Sequence, residues 1–151
     1  ESNGFEFDLA GEIAPNWSIL ASYAYIDARI TKTASNSEKD FDMQRPSTPR
    51  HSGNIWTKYI ITEGPLKHLG LGAGYNFVTE RYGQVGRRAN TTVYPGYGLV
   101  NAVLYYKINQ IQLQLNLNNV LNKTHWVGGY DKLRSFPGAP RNINVTVSYK
   151  F

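Results

Sequence analysis

One stretch of eight residues constrains the fold more than any other part of the sequence. From 111 to 118 the chain reads IQLQLNLN, with an aliphatic residue at every odd position and an uncharged amide at every even one. A period of two puts alternate side chains on opposite faces of a β-strand, whereas an amphipathic helix has a period of roughly 3.6 residues. The stretch therefore predicts a strand with an aliphatic face and an amide face, which is typical of strands that separate lipid from a polar lumen.

Composition excludes a helical membrane protein and several kinds of site. No segment reaches the roughly 18 consecutive apolar residues of a membrane helix, and mean hydropathy is -0.43, a value that alternating barrel strands still allow. The chain has no cysteine, so a disulfide framework and a thiolate metal site are excluded. The formal net charge of +5 allows an anionic partner, but the basic residues are spread along the chain and nucleic acid is not an expected partner.

Alternation of the same kind recurs along the whole chain. It predicts seven strands, at residues 4–13, 17–30, 51–61, 69–82, 97–108, 111–122 and 141–151. Short and long connections alternate between these strands, and the first connection is short. Short turns at one end and long loops at the other are typical of an outer-membrane meander, and a soluble up-and-down barrel has no reason to separate them.

The number of strands indicates that they form part of something larger. Bacterial single-chain barrels have even strand numbers, and seven strands in hydrocarbon would leave two edges whose unpaired backbone groups cost several kcal/mol each. The expected fold is therefore all-β: an antiparallel transmembrane β-barrel meander that forms the last part of a larger barrel.

Short motifs at the strand ends carry a resemblance to a known family. They are PRH at 49–51, ERYG at 80–83, PGY at 95–97, NVLNK at 119–123, PGAPR at 137–141 and a terminal YKF at 149–151. In this order they resemble the C-terminal end of TonB-dependent ferric-siderophore receptors, and the resemblance covers essentially the whole chain. One departure is that NKTHW at 122–126 replaces the family's usual Asp-Lys-x-Tyr.

This resemblance implies a barrel of 22 strands in the bacterial outer membrane, plugged by an N-terminal domain that is not among these residues. It also implies that the parent protein imports a ferric siderophore, with energy from a TonB-type partner contacted through the missing N-terminal region. Further partners would be the lipid bilayer, lipopolysaccharide and the outer-membrane insertion machinery. Alternatives are a non-transporting anchor or adhesin, a TonB-dependent receptor for a vitamin or glycan, and a soluble ligand-binding barrel.

Cations and aromatic residues in the long loops are the candidate ligand contacts. They are Arg87, Arg88, Trp126, Tyr130 and Arg134. At the cell surface they would face an anionic or hydroxamate-like chelate, and the alternative is that they contact lipopolysaccharide or remain solvated.

Three residues near the C-terminus form a second candidate site. Val147, Tyr149 and Phe151 share one phase of the last predicted strand. They resemble the C-terminal signal that the insertion machinery reads, and they would also serve as the last lipid contacts.

No catalytic group, metal site or cofactor is expected. His51, His68 and His125 lie far apart without ligand spacing, and no carboxylate pair accompanies a nucleophile in a recognisable arrangement. The glycines of GLGAG at 70–74 fall inside a predicted strand, which favours small lumen-facing residues over a phosphate-binding loop.

Overall fold

The computed structural model describes residues 1–32, 43–83, 92–129 and 133–151. In these ranges every regular element is a strand. None of the described residues belongs to a helix that could cross a membrane.

The strands fall into one large sheet and two small hairpins. Within the described ranges the strands are β1 (Ser2–Ala14), β2 (Trp17–Ala28), β3 (His51–Ile60), β4 (Leu69–Val78), β5 (Arg81–Tyr82), β6 (Val93–Tyr94), β7 (Tyr97–Ile108), β8 (Ile111–Asn118), β9 (Trp126–Gly129), β10 (Ser135–Pro137) and β11 (Asn142–Tyr149). The sheet has seven strands in the order β1-β2-β3-β4-β7-β8-β11, and every neighbouring pair is antiparallel. The predicted fold class, an antiparallel meander of seven long strands, is confirmed.

Two ends of the sheet differ in their connections. At the short-turn end, two-residue turns join β1 to β2 and β7 to β8, and residues 61–68 join β3 to β4. Asn16 and Asn109 adopt positive φ values of 64° and 51° in the two-residue turns. A small polar residue such as Asn tolerates this left-handed conformation better than most residues do. The long connections lie at the opposite, long-loop end, and they carry the hairpins β5–β6 and β9–β10.

The pairing register sorts the side chains into two faces. Residues directly opposite each other in a sheet point to the same side, and Leu104 of β7 is opposite Leu115 of β8, which is opposite Val145 of β11. This row belongs to what we call the apolar face. Gln114, between Tyr105 and Thr146, belongs to the other, polar face.

Aromatic side chains mark both ends of the apolar face. At the long-loop end the rings of Phe5 and Tyr25 lie 5.8 Å apart, and at the short-turn end those of Trp17 and Tyr59 lie 6.3 Å apart. Aliphatic side chains such as Leu115 occupy the middle of this face. An apolar band between two aromatic girdles is the pattern that a barrel presents to a bilayer.

Strand bounds differ from the sequence-based prediction mainly at two places, and elsewhere by one or two residues. The strand expected to reach residue 82 ends at Val78, because Arg81 and Tyr82 pair with β6 in a separate hairpin. The strand expected to reach residue 122 ends at Asn118, because Asn119 and Asn122 each have a φ of 50° and turn the chain out of the sheet.

Candidate functional site

Three glycines of β4 shape the middle of the polar face. Gly70, Gly72 and Gly74 lie inside the strand and point to the same side as Trp56 and Lys58 of β3. A Cβ atom built at Gly74 would lie 2.0 Å from the Trp56 indole ring, so the indole occupies space that any other residue at 74 would need. The glycines therefore make room for large side chains of the neighbouring strands, and the prediction of small residues on the polar face is confirmed.

A group of buried and half-buried side chains lies at the long-loop end, and we call it the polar cluster. It consists of Arg81, Tyr94, Tyr97, Asn119 and His125. Arg81 is 3% exposed and His125 is 6% exposed, although both are polar. The Arg81 guanidinium lies 5.4 Å from the centroid of the Tyr97 ring, which in turn lies 4.5 Å from that of His125. Arg81 Nη2 also donates a hydrogen bond to the backbone carbonyl oxygen of Trp126. The cluster thus links the second long loop to the third.

Asn119 fixes the start of the third long loop. Its side-chain amide donates to the carbonyl oxygens of Lys123 at 2.9 Å and Ala139 at 3.2 Å. Its Oδ1 atom accepts a hydrogen bond of 2.8 Å from the Lys123 backbone N–H. One buried side chain therefore joins both ends of the loop between β8 and β11.

Tyr94 makes a second link between the two hairpins. It is 3% exposed, and its hydroxyl lies 3.0 Å from the Ser135 hydroxyl. A Cβ atom at Gly129 would lie 1.9 Å from the Tyr94 hydroxyl, so only a glycine leaves room for this contact. Hairpins β5–β6 and β9–β10 consequently pack against each other above the end of the sheet.

The structure places two of the five predicted loop contacts on one hairpin. Trp126 begins β9 and is 39% exposed. Arg134 is exposed and immediately precedes β10, whose Ser135 pairs with Gly129. Arg87, Arg88 and Tyr130 lie outside the described residues.

The predicted C-terminal signal residues lie together at the short-turn end. Val147 and Tyr149 belong to β11 on the apolar face, and the Tyr149 and Phe151 rings are 5.1 Å apart. All three side chains are exposed. The Tyr149 hydroxyl donates to Gln110 Oε1 at 2.8 Å, which ties the last strand to the turn between β7 and β8.

Sequence reasoning did not assign the polar cluster as a site. Arg81 and Asn119 belong to the motifs ERYG and NVLNK, which from sequence alone indicate only the ends of strands. Buried polar groups need hydrogen-bond partners, so a polar residue directly after an alternating strand could have indicated a structural anchor. The partners themselves are backbone atoms more than forty residues away in the case of Arg81, and no local pattern predicts them.

The three histidines have separate environments. His51 Nδ1 lies 2.7 Å from the Tyr23 hydroxyl, His68 lies in a turn with a φ of 74°, and His125 belongs to the polar cluster. Within the described ranges there is no group of three or more His, Cys, Asp or Glu side chains that could hold a metal ion.

The sheet has an exposed apolar face between aromatic girdles, a polar face, and long loops at one end. These features are typical of the wall of an outer-membrane barrel. A family profile described as "TonB dependent receptor-like, beta-barrel" matches residues 1–120. The chain belongs to this family, and it is a segment of an outer-membrane receptor barrel. The family consists of receptors and not of enzymes.

Similar proteins agree with this assignment. The siderophore receptor PiuA of Acinetobacter baumannii is 32% identical over 158 residues, which cover 99% of this chain and 20% of PiuA. The crystal structure of PiuA superimposes with a TM-score of 0.81 over 99% of this chain and 22% of that one.

Two further relatives have names that specify the chelate or its chemical class. The ferrioxamine B receptor of Salmonella typhimurium is 30% identical, over 100% of this chain and 21% of the receptor. The ferric-catecholate import receptor Fiu of Escherichia coli, in its closed form, has a TM-score of 0.82 at 25% identity, over 99% of this chain and 21% of that one. The chain thus spans about a fifth of the length of the curated relatives it matches.

Proposed function

We propose that the protein containing this chain imports a ferric siderophore across the outer membrane. In this proposal the chain supplies seven strands of the barrel wall and three outer loops. The observation that carries the proposal is the end-to-end match to receptors named for siderophores, which covers 99% or more of the chain in PiuA and the ferrioxamine B receptor. The ferrioxamine B receptor and the ferric-catecholate receptor Fiu are named for chemically different chelates, so the proposal specifies an iron chelate and leaves its ligand groups open.

The rest of the receptor supplies the remaining strands, the plug and the energy-coupling region. We propose a closed barrel of 22 strands, an N-terminal plug in its lumen and a TonB-type protein that transmits energy through the N-terminal region. The apolar face contacts the lipid bilayer, and the outer loops contact lipopolysaccharide where they do not contact cargo.

The loop residues have a definite role in the proposal. Arg87, Arg88 and Arg134 attract an anionic chelate, and Trp126 and Tyr130 offer aromatic surface to it. The hairpin that holds Trp126 and Arg134 is anchored to the second long loop through Arg81 and Tyr94. This anchoring supports a shared role, because contacts held by two linked loops lose less conformational freedom when a ligand binds.

Growth under iron limitation tests the proposal directly. A strain that depends on the intact gene should grow on at least one ferric siderophore of a chemically varied panel, and a strain without the gene should not. If no chelate requires the gene while a vitamin or glycan does, the receptor assignment remains and the siderophore assignment fails. If no cargo requires the gene, the anchor or adhesin alternative replaces transport.

Charge neutralisation tests the role of the loop arginines. Changing Arg87, Arg88 and Arg134 together to Gln in the intact receptor should weaken binding of an anionic chelate and reduce the dependence of binding on salt. Changing Arg29 and Arg50, two arginines near Asp27, together with Arg45 gives a control with the same change in charge. Equal effects of both triple variants would contradict a specific role for the three loop cations.

The C-terminal residues are proposed to be the element that the insertion machinery reads. Removing Phe151 should lower the amount of assembled receptor more than Phe151→Leu, because Leu keeps an apolar side chain at that position. The measurement is heat-modifiable barrel in membrane fractions. Wild-type assembly of the deletion variant would reject the proposal.

A further inference from the structure

A second basic region lies at the short-turn end of the polar face. A cavity of about 140 Å³ opens there between β3, β4, β7 and β8. The residues that line it and carry the argument are Lys58, His68, Gly70, Tyr105, Lys107 and Gln112. Because the turns at this end are short, it is the end that faces the periplasm in an outer-membrane barrel.

Lys58 reaches this cavity because β4 lacks side chains on its path. Lys58 is opposite Gly72 in the pairing of β3 with β4, and Gly70 is opposite Tyr105 in the pairing of β4 with β7. The ammonium group extends across β4, and its Nζ atom lies 4.5 Å from the centroid of the Tyr105 ring. A cation at this distance from an aromatic face is attracted by it, which holds the lysine in place.

Two lysines line this cavity, and no carboxylate is among its lining residues. Lys58 comes from β3 and Lys107 from β7, and within the described ranges neither lysine takes part in an ion pair. Glu12 lies in the same row as Lys58 on the polar face, but Ser18 of β2 stands between them, which puts their strands about 10 Å apart. Lys58 extends away from Glu12, towards Tyr105.

Positive charges that line one cavity raise the local concentration of anions. The Gln112 side-chain amide adds a neutral hydrogen-bond donor to the same cavity. We infer that this cavity is an anion subsite on the periplasmic side of the lumen, and that it binds the carboxylate groups of an anionic chelate. Its biological ligand rests on the proposed import function, while its affinity for oxyanions is inferred from the two lysines and Gln112.

Charge-selective labelling of a cysteine in the cavity tests the inference in the intact receptor. Gln112→Cys is introduced after removal of any other cysteine, and its reaction rates with an anionic sulfonatoethyl and a neutral hydroxyethyl methanethiosulfonate are compared. The ratio of anionic to neutral rate should fall about tenfold when Lys58→Gln and Lys107→Gln are added. Lys67→Gln with Lys150→Gln, an equal change in charge outside the cavity, should leave the ratio near its original value.

Two results would overturn the subsite. One is an equal fall of the ratio in both double variants, or no fall in either. The other is failure of the cysteine to react with either reagent, because a subsite on a transport path must be reachable.

Competition identifies the oxyanion class. Citrate and inorganic phosphate are added as iron-free probes, and citrate should slow labelling at concentrations where phosphate has no effect. Protection by phosphate at or below the citrate concentration would overturn the carboxylate assignment, and protection by neither would overturn the subsite. Since labelling needs no transported cargo, failure here is distinguishable from a failure of the growth experiment.

Discussion

The apolar face of the sheet and the polar cluster at its long-loop end have opposite patterns of burial. Leu115 and Val145, on the apolar face, are 42% and 67% exposed, whereas Arg81 and Asn119 in the cluster are each 3% exposed. In a soluble protein, large aliphatic side chains are mostly buried and charged ones are mostly exposed. The contrast fits the proposal that lipid covers the apolar face, while buried, hydrogen-bonded polar groups stabilise the loops that leave the sheet.

Backbone hydrogen bonding also differs between the sheet and the loops. Inside hydrocarbon every backbone N–H and C=O must be paired, and the regular ladders from β2 to β8 meet this demand. Beyond the sheet, side chains such as Asn119 and Arg81 donate hydrogen bonds to carbonyl groups that lie outside its backbone ladders.

The largest expected effect comes from charge on the apolar face. Leu115→Lys in the full-length barrel should destabilise it by about 2–4 kcal/mol, because an ammonium near the bilayer midplane is poorly solvated. Gln114→Lys is the matched control on the polar face, and it should be nearly neutral. Urea unfolding of the barrel in lipid vesicles gives both values, and equal tolerance of the two substitutions would contradict the assignment of faces.

A smaller effect is expected from the polar cluster. Asn119→Gly should cost about 2–3 kcal/mol, because it removes three hydrogen bonds of a buried side chain while glycine still adopts the φ of 50°. Asn76→Ala on the exposed polar face is the control and should cost little. Urea unfolding gives the stability change, and limited proteolysis of residues 123–140 reports whether the loop has loosened.

Equal unfolding and proteolysis of the two Asn variants would contradict the anchoring role of Asn119. Loop loosening without a change in barrel stability would sharpen the comparison, because it would show that the cluster stabilises the loops independently of the sheet.

The smallest effect concerns the glycines of β4. Gly74→Ala should cost about 1–2 kcal/mol, since the added Cβ displaces the Trp56 indole. Gly11→Ala in β1 is the control, because nothing lies within 4 Å of a Cβ atom there. Adding Trp56→Ala should remove most of the cost of Gly74→Ala, and a purely additive double variant would show that the indole is not the cause.

The sheet was largely predictable because its signal is local. Alternation along residues 111–118 indicates both the strand and its faces, and the family motifs indicate the larger assembly. The end of this strand was not predictable from alternation, because Asn119 and Asn122, both in the left-handed conformation, contact Ala139 and Arg141 of the returning chain.

The candidate site was predictable only in part. Trp126 and Arg134 stood out by residue type, and the structure places them on one hairpin. Tyr94 of the polar cluster contacts Ser135 of that hairpin, although the two residues lie 41 positions apart in the sequence. Sequence pattern carries no information about such pairings, which arise only when the strands have assembled.

The central claim is that the two faces of this sheet meet different solvents, and collision accessibility measures it most directly. Nitroxide spin labels are placed one at a time at Leu113, Gln114, Leu115 and Asn116 of the intact receptor in lipid vesicles. Labels at 113 and 115 should collide mainly with oxygen dissolved in lipid, and labels at 114 and 116 mainly with a water-soluble nickel chelate. This alternation with a period of two is the predicted result, and equal accessibility of all four labels to the nickel chelate would contradict the account.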